Sequence, residues 1–265
     1  MNQITLSGIT RYPIKSAAGE SLESGVMDAL GLVGDRRWMI IDENGTCLTQ
    51  RQLRPMALLA AEYSDDGLQL KADGDSIFVK TPHADGQRVT ATVWEHTLQA
   101  PLAAATANEW LSDVFDEPLR LVFCPIETER FVEEGLAPAD QRVAFSDAYP
   151  LLLITEASLT LLNEKLDRPV PMNRFRPNLV LSGAGAHAED SWRRIRIGDT
   201  VVDLVKPCAR CTVPAVVQET GERDAQILGT LMGYRKQGQE VMFGMNAVAK
   251  AGCAFQLGDC VELLD

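Results

Sequence analysis

Two cysteines three positions apart are the residues of this sequence whose type and spacing most directly suggest chemistry. Cys208 and Cys211 lie in the run Lys206-Pro207-Cys208-Ala209-Arg210-Cys211, and no other two cysteines lie so close together. A thiolate binds soft metals and is a nucleophile, and neighbouring cations such as Lys206 and Arg210 favour it over the thiol. The run predicts either a metal-binding or redox cysteine, or a strand end with one buried and one ordinary cysteine.

The metal and redox alternatives make different demands on the surrounding sequence. Structural zinc needs four ligands, commonly from two close pairs, whereas Cys253 and Cys260 lie seven positions apart and the three histidines are scattered. Thioredoxin-like exchange needs the pair at a helix N-terminus, whereas residues 212–218 are rich in β-branched residues, contain a proline and are predicted to be extended. A single thiolate ligand to a soft transition metal, with open positions for substrate, is compatible with the pattern, and so is a purely structural role.

Four further segments place polar or charged residues next to predicted strands. They are Tyr12-Pro13-Ile14-Lys15-Ser16, Gly34-Asp35-Arg36-Arg37-Trp38, Phe145-Ser146-Asp147-Ala148-Tyr149-Pro150 and Phe175-Arg176-Pro177-Asn178. Loops at strand ends often carry binding groups, and Arg and Lys bind phosphate or carboxylate groups. Taken singly, each segment is equally compatible with a solvated or ion-paired surface, or with a turn capped by its own side chains.

Short strands separated by turns are predicted to position these segments. The turns at Asn44-Gly45 and Asp73-Gly74 lie between apolar runs and predict β-hairpins. In the C-terminal half, Gly198-Asp199 and Gly258-Asp259 each predict a strand, a turn and a second strand. Regular short strands of this kind predict a barrel or a sandwich.

A few helices are predicted between the strands. Apolar residues at helical spacing indicate helices at about 103–115, 156–167 and 222–236, the second with Thr155 as its N-cap. The expected fold class is therefore mainly β (α+β), with a few short helices.

Composition and charge exclude several function classes. The 265 residues carry a formal net charge of −12, which disfavours a nucleic-acid-binding surface but not a local cationic pocket for a small anion. No apolar run approaches the ~20 residues of a membrane helix, and the N-terminus lacks the features of a signal peptide, so we expect a cytoplasmic protein that binds neither membrane nor nucleic-acid polymer. The sequence contains no GxSxG, P-loop, GxGxxG or HExxH motif, and the histidines, in contexts unfavourable for catalysis, are His83, His96 and His187.

Taken together, the cysteine run and the four polar segments resemble one family. They occur in the order found in MOSC-domain proteins with an N-terminal β-barrel, and nearly the whole chain is similar to the YcbX group and the mitochondrial amidoxime-reducing component. The resemblance implies two intimately packed β-barrel-like domains, an N-terminal MOSC β-barrel at 1–118 and a MOSC domain at 119–265, with a molybdenum cofactor between them. It implies that Cys211 is the molybdenum ligand at the catalytic centre, with Cys208 as a non-ligating neighbour. The implied cofactor-binding residues are Lys15, Ser16, Arg36, Ser146, Asp147, Arg176 and Asn178.

The activity implied by the resemblance is a detoxifying reduction of small N-hydroxylated compounds, such as hydroxylamino-purines and amidoximes. Many YcbX-like proteins carry a C-terminal [2Fe-2S] domain with a dense cysteine cluster, and Cys253 and Cys260 do not form one. We therefore expect no internal iron–sulfur cluster and a separate electron donor, either a ferredoxin or a flavin/iron–sulfur reductase. Met245 stands before Asn246 where related sequences usually have Gln, which places any contact by residue 245 in question.

Other functions stay open from the sequence. The wider family includes cofactor sulfurases, so the main alternative is a carrier of sulfur or molybdenum cofactor, with a persulfide or the cofactor held on Cys211. A pyridoxal phosphate enzyme is less favoured because no clear Schiff-base lysine motif accompanies the site. A non-catalytic β-barrel scaffold is the third alternative.

Overall fold

Short strands make up most of the ordered backbone. The computed structural model describes residues 3–83, 85–132 and 135–264. In strands such as Arg194–Ile197, exposed and buried side chains alternate, because successive residues of a strand point to opposite faces. The strands are β1 Thr5–Arg11, β2 Glu20–Leu22, β3 Ser24–Asp28, β4 Gly31–Leu32, β5 Trp38–Ile41, β6 Ala60–Ser64, β7 Gly67–Ala72, β8 Asp75–Lys80, β9 Arg88–Val93, β10 His96–Pro101, β11 Arg120–Phe123, β12 Leu151–Thr155, β13 Leu179–Ser182, β14 Arg194–Ile197, β15 Thr200–Ala209, β16 Lys236–Gln237, β17 Glu240–Ala249, β18 Ala254–Gln256 and β19 Val261–Leu263.

One large sheet carries most of the C-terminal half. Its strand order is β19-β14-β15-β17-β12-β13-β1-β2, and β16 pairs with β17 outside this path. The remaining strands form the sheets β10-β9, β11-β5, β18-β3-β4 and β6-β7-β8. Within the described residues these strand orders do not close into a ring, and the predicted mainly β fold is confirmed.

The α-helices of the described residues lie inside the predicted ranges. They are α1 Ala105–Phe115, α2 Glu156–Asn163 and α3 Gln226–Met232, and 3-10 turns cover Arg54–Leu58, Met172–Arg174, Ala188–Ser191 and Val213–Ala215. The predicted N-cap is confirmed, because the Thr155 hydroxyl accepts a hydrogen bond from the Ser158 amide at 3.3 Å. No helix of the described residues is long and apolar enough to cross a membrane.

The turn predictions have different outcomes. The Asp73-Gly74 turn joins β7 to β8, and Gly198-Asp199 joins β14 to β15, as predicted. Gly258-Asp259 lies between β18 and β19, but these two strands do not pair: β18 pairs with β3 and β19 with β14. The Gly258-Asp259 turn therefore connects two different sheets, because β18 and β19 each pair with a strand from a distant part of the chain.

The first strand brings the N-terminal segment against the C-terminal half. β1 pairs antiparallel with β13, so that Ile9 lies opposite Leu179. The end of β1 is thereby adjacent to the start of β13, and the polar segments beside these two strand ends meet. The large sheet thus contains strands from both sides of the division at 118/119, which stays a prediction.

Candidate cofactor-binding site

Every site residue predicted from the sequence lines one cleft. The cleft measures about 720 Å³ including the open space at its mouth. Tyr149, Cys208, Arg210 and Asn246 also line it. The predicted residues that line it are Lys15, Ser16, Arg36, Ser146, Asp147, Arg176, Asn178 and Cys211. The structure brings these eight residues together, while their roles toward a ligand stay a proposal.

One end of the cleft is a layer of stacked cations, which we call the arginine end and define as Tyr12, Asp35, Arg36, Arg176 and Asn178. The guanidinium carbons of Arg36 and Arg176 lie 4.3 and 4.1 Å from the centre of the Tyr12 ring. The Tyr12 hydroxyl donates to the Pro177 carbonyl at 3.1 Å. Cations over an aromatic face are attracted by the ring, so one buried tyrosine holds two positive charges beside the cleft.

A buried carboxylate anchors this end. Asp35 accepts hydrogen bonds from the Tyr12 amide at 2.8 Å, from Arg36 Nη1 at 2.6 Å and from Asn178 Nδ2 at 3.1 Å. Burial raises the pKa of Asp35, and its ion pair with Arg36 opposes that rise. The preceding Gly34 has φ +82° and no room for a side chain, since a Cβ would lie 2.7 Å from Cγ of Tyr63.

Both ends of the Asn178 side-chain amide form hydrogen bonds within the protein. Its Nδ2 donates to the Thr10 carbonyl at 3.1 Å as well as to Asp35, and its Oδ1 accepts from Arg36 Nη1 at 3.0 Å and from the Leu152 amide at 3.2 Å. The resemblance implied a contact with the cofactor. That contact stays a prediction, and both ends of the Asn178 amide already bond within the protein, one of them to Arg36.

Backbone strain concentrates at the cleft. Ser16, Arg36 and Arg176 all have left-handed φ angles, of 64°, 46° and 58°. Non-glycine residues rarely adopt this conformation, and it costs of order 1–3 kcal/mol each. Three neighbouring strained residues indicate that the surrounding structure fixes these side chains in directions that ordinary loops would not give them.

Several polar groups of the cleft have hydrogen-bonding capacity available to a ligand. Arg176 Nη1 donates to the Ala17 carbonyl at 2.5 Å, whereas its Nη2 is buried without a partner among the described residues. Burial lowers the pKa of Arg176 to about 10, which leaves it charged at neutral pH. The largely buried Ser16 and Ser146 also line the cleft with their hydroxyls. A buried unsatisfied donor is costly, so this set suits an anionic ligand with several oxygen acceptors.

A second charged pair lines the cleft. The buried Lys15 ammonium donates to the Phe145 carbonyl at 2.7 Å and to Oδ1 of Asp147. Desolvation by the surrounding cleft would raise the pKa of Asp147, but the Lys15 ammonium, followed by Arg36 and Arg51, holds that pKa well below its usual range. Asp147 is therefore ionised at neutral pH.

An arginine outside the predicted set fixes the loop that carries Ser146 and Asp147. Arg130 is buried, and its Nη1 donates to the carbonyls of Ala144 at 2.6 Å and Ser146 at 2.8 Å. Its Nη2 donates to the Asp147 carbonyl at 3.1 Å. This single guanidinium replaces the hydrogen bonds that a regular sheet would give these carbonyls.

A second part of the cleft is formed by residues 206–211 together with Asn246, and we call it the cysteine end. Register shifts between Leu204 and Lys206 and between Pro207 and Ala209 interrupt the pairing of β15 with β17 just before the cysteines. Such irregularities are common next to active sites, where they redirect side chains. Both Cys208 and Cys211 are partly buried free thiols.

Arg210 orders the cysteine end. Its Nη1 lies 3.1 Å from Cys208 Sγ, and its Nη2 donates to the Phe175 carbonyl at 2.8 Å. Cys208 also packs against a buried apolar cluster that includes Phe175 and Phe243. The structure therefore distinguishes the two thiols: Cys208 is held by Arg210 and the core, whereas Cys211 lies at the end of the run in the cleft.

The surroundings of the cysteine pair bear on the alternatives. A 3-10 turn at Val213–Ala215 follows Cys211 in place of the α-helix N-terminus that dithiol exchange favours. Over the described ranges, no group of three or more His, Cys, Asp and Glu side chains is arranged to hold a metal ion. Met245 is 4% exposed and packs in the core of the large sheet, while Asn246 lines the cleft.

Sequence reasoning missed several residues of the site. Asp35 lies within the segment 34–38 and Tyr12 begins the segment 12–16, but their local sequence assigns neither of them to the site. Arg130 and Trp94 gave no local signal, because their contacts join segments more than ten residues apart: the Trp94 indole donates to Asp147 at 3.2 Å. Only the fold reveals these contacts.

Comparisons with known proteins agree with this architecture. The MOSC N-terminal beta barrel domain matches residues 3–118, and the MOSC domain matches residues 140–262. The chain is 34% identical to mitochondrial amidoxime-reducing component 1 of Mus musculus, over 98% of this chain and 82% of that protein. It is 32% identical to the Homo sapiens counterpart, over 98% of this chain and 83% of that protein.

A more distant relative has a different name. The chain is 27% identical to a molybdenum cofactor sulfurase of Oryza sativa subsp. japonica, over 92% of this chain but 32% of that protein. The two domain matches and the nearly full-length similarities agree with the resemblance carried by the five motifs. The chain belongs to the family of MOSC-domain proteins that includes the mitochondrial amidoxime-reducing components.

Proposed function

We propose that the cleft holds a molybdenum cofactor with Cys211 as the metal ligand, and that the protein reduces small N-hydroxylated compounds. The observation that carries this proposal is the buried Nη2 of Arg176, which has no partner among the described residues and shares one cleft with the half-buried thiol of Cys211. A cation that lacks a partner and a soft-metal ligand together suit a cofactor with both an anionic group and a soft metal.

The donor set fits such a group. Arg176, Arg36 and Lys15 supply positive charge for a phosphate, and the hydroxyls of Ser16 and Ser146 can donate to its oxygens or to ring atoms. Asn178 and Asp35 accept hydrogen bonds from Arg36, so its guanidinium is positioned before any ligand binds.

The remaining residues accept from the ligand or hold its metal. The carboxylate of Asp147 accepts hydrogen bonds from N–H groups, because its low pKa keeps it ionised. Cys211 acts as a thiolate ligand and not as a nucleophile. Cys208, engaged by Arg210, is its non-ligating neighbour.

The overall reaction converts an N–OH group to N–H and water, with the uptake of two electrons and two protons. When bound, the cofactor supplies the Lewis-acid metal and the two-electron redox chemistry. An ionised Asp147 is a poor proton donor at neutral pH, so its role is to orient and not to protonate. The electrons come from a separate donor protein, a ferredoxin or a flavin/iron–sulfur reductase, and the cytoplasmic location expected from the sequence stays a prediction.

The similarity to proteins named amidoxime-reducing components supports this class of substrate. The test is an analysis of protein purified from a host that makes the cofactor, followed by turnover with a chemical reductant. We expect molybdenum and pterin in near-stoichiometric amounts and conversion of 6-hydroxylaminopurine to adenine. Protein that contains neither molybdenum nor pterin contradicts the proposal at its first step.

A carrier of sulfur or cofactor is the second candidate, supported by the similarity to a molybdenum cofactor sulfurase. It predicts bound cofactor, or a persulfide on Cys211, without turnover of N-hydroxylated compounds. Cofactor content together with a lack of reduction across several such compounds would favour the carrier.

A further inference from the structure

The tip of the hairpin formed by β9 and β10 reaches the cleft from the N-terminal part of the chain. β9 and β10 pair from Val93 with His96 onwards, which leaves Trp94 and Glu95 as the turn. Trp94 has a left-handed φ of 54° and is 45% exposed. Positive φ at the first residue of a two-residue hairpin loop is what the favoured turns require. It is usually met by Gly, Asn or Asp, so the bulky Trp94 occupies this position at a cost in strain.

Trp94 is directed at a residue of the cleft. Its Nε1–H donates to Oδ1 of Asp147 at 3.2 Å, and Lys15 donates to the same oxygen. Oδ2 of Asp147 has no hydrogen-bond partner in the described part of the chain. Two donors on one oxygen fix the plane of the carboxylate and leave the other oxygen as an oriented acceptor.

The indole itself is held in place by charge. The Arg51 guanidinium carbon lies 4.3 Å from the centre of the Trp94 ring, and the Lys15 ammonium lies 5.5 Å from it. Arg51 also donates from Nε to the Thr49 hydroxyl at 3.2 Å. Cation–ring contacts of this kind keep an exposed indole from rotating freely, so the strained hairpin tip presents its N–H in a defined direction.

We propose that Trp94 is a positioning residue for the cofactor: through its indole N–H it orients Asp147, whose free Oδ2 then accepts from N–H groups on the ring edge of the ligand. This inference rests on the proposed function, since it concerns retention of the same cofactor. It assigns the β9–β10 hairpin a part in ligand binding that the motif loops do not supply.

The test compares two indole-to-aspartate hydrogen bonds in the molybdenum-loaded protein. Trp94→Phe removes the bond to Asp147 and keeps an aromatic ring, and Trp110→Phe removes the matched bond from Trp110 Nε1 to Asp75 Oδ2, 2.9 Å long and formed elsewhere. The readout is the half-time for loss of bound molybdenum and pterin after gel filtration. We expect Trp94→Phe to shorten it by about threefold to tenfold and Trp110→Phe to leave it within about twofold.

A double-variant cycle separates positioning from general loosening of the fold. If Trp94 acts through Asp147, adding Trp94→Phe to Asp147→Ala changes the half-time no further than about twofold. The NMR signal of the Trp94 indole N–H, identified by its loss in Trp94→Phe, must also move in cofactor-free Asp147→Ala.

The outcomes are distinct. Equal half-times for wild type, Trp94→Phe and Trp110→Phe overturn the role of Trp94 while leaving the cofactor proposal intact. The mechanism through Asp147 is overturned if the effects of Trp94→Phe and Asp147→Ala are additive. It is also overturned if the NMR signal of the Trp94 indole N–H does not move in Asp147→Ala. Wild-type protein without molybdenum and pterin overturns the proposed function and this inference with it.

Discussion

The two ends of the cleft are built differently. At the arginine end the side chains of Asp35, Arg176 and Asn178 are buried, and Asp35 and Asn178 are saturated with hydrogen bonds. At the cysteine end the strand pairing is irregular, and Cys208 and Cys211 are partly exposed. The arginine end is more desolvated and more densely hydrogen-bonded, and the cysteine end is more accessible.

This difference separates two tasks. A preorganised cationic end binds without an ordering cost, because its groups already have their bound geometry. A reacting centre needs space for substrate and open ligand positions. We assign most of the affinity for the cofactor to the arginine end and the chemistry to the cysteine end, and substitutions at each end test this division.

The largest effect is expected from Asp35→Ala. Its removal takes away the ion-pair partner of the mostly buried Arg36 guanidinium and one acceptor each of the Tyr12 amide and Asn178 Nδ2. Loss of such a partner costs about 3–5 kcal/mol in the free energy of unfolding. Urea denaturation of wild type and Asp35→Ala measures this loss in the free energy of unfolding. The control is Glu62→Ala, which breaks an exposed ion pair with Lys71 and should cost less than about 1 kcal/mol. Equal losses for both variants would show that the arginine end is not a rigid anchor.

Arg176→Lys is expected to act mainly on binding. The substitution keeps one positive charge but removes the planar guanidinium, which stacks on Tyr12 and whose Nη2 has no partner in the described part of the chain. Loss of charge-assisted hydrogen bonds predicts an affinity for the cofactor lower by about 10- to 100-fold, measured as molybdenum and pterin content at limiting cofactor. Arg196→Lys, at an exposed ion pair with Glu262, is the control and should bind as wild type does.

A smaller effect tests whether the strain at Ser16 is real. Glycine tolerates the left-handed conformation of Ser16, whereas Ser146 has no positive φ to relieve. Ser16→Gly should therefore cost at least about 1 kcal/mol less in unfolding free energy than Ser146→Gly. Both variants lose a hydroxyl from the cleft, so cofactor content should fall in both. A larger loss of stability in Ser16→Gly would contradict the strain argument.

The smallest effect concerns pH. The folded-state pKa of Asp147 lies below its unfolded value of about 3.9, so its ionised form stabilises the fold above that value, and the contribution is lost as pH falls through the folded pKa. The unfolding free energy of wild type relative to Asp147→Asn should thus be greater at pH 6 and shrink towards pH 3. Because the Asp147 side chain is 66% exposed, the difference is reduced by solvent screening. A difference that grows on acidification would contradict the sign.

Local pattern was sufficient for much of this architecture. Alternating strands, the N-cap at Thr155 and the glycine turns are set by neighbouring residues, so they could be predicted. The resemblance to MOSC-domain proteins also identified the eight residues that line one cleft in the structure. What it could not supply were the contacts between distant segments: β18 pairs with β3 and not with β19, and Asn178 is used by Arg36 and Leu152. Such pairings depend on which surfaces meet in three dimensions, and no short window contains both partners.

The measurement that tests the central claim most directly is the molybdenum content of Cys211→Ala and Cys208→Ala, purified side by side with wild type from a cofactor-competent host. The account predicts that Cys211→Ala loses bound molybdenum, whereas Cys208→Ala, whose thiol is engaged by Arg210, largely retains it. Equal molybdenum in wild type and Cys211→Ala, or its loss only in Cys208→Ala, would contradict the assignment of the metal to Cys211.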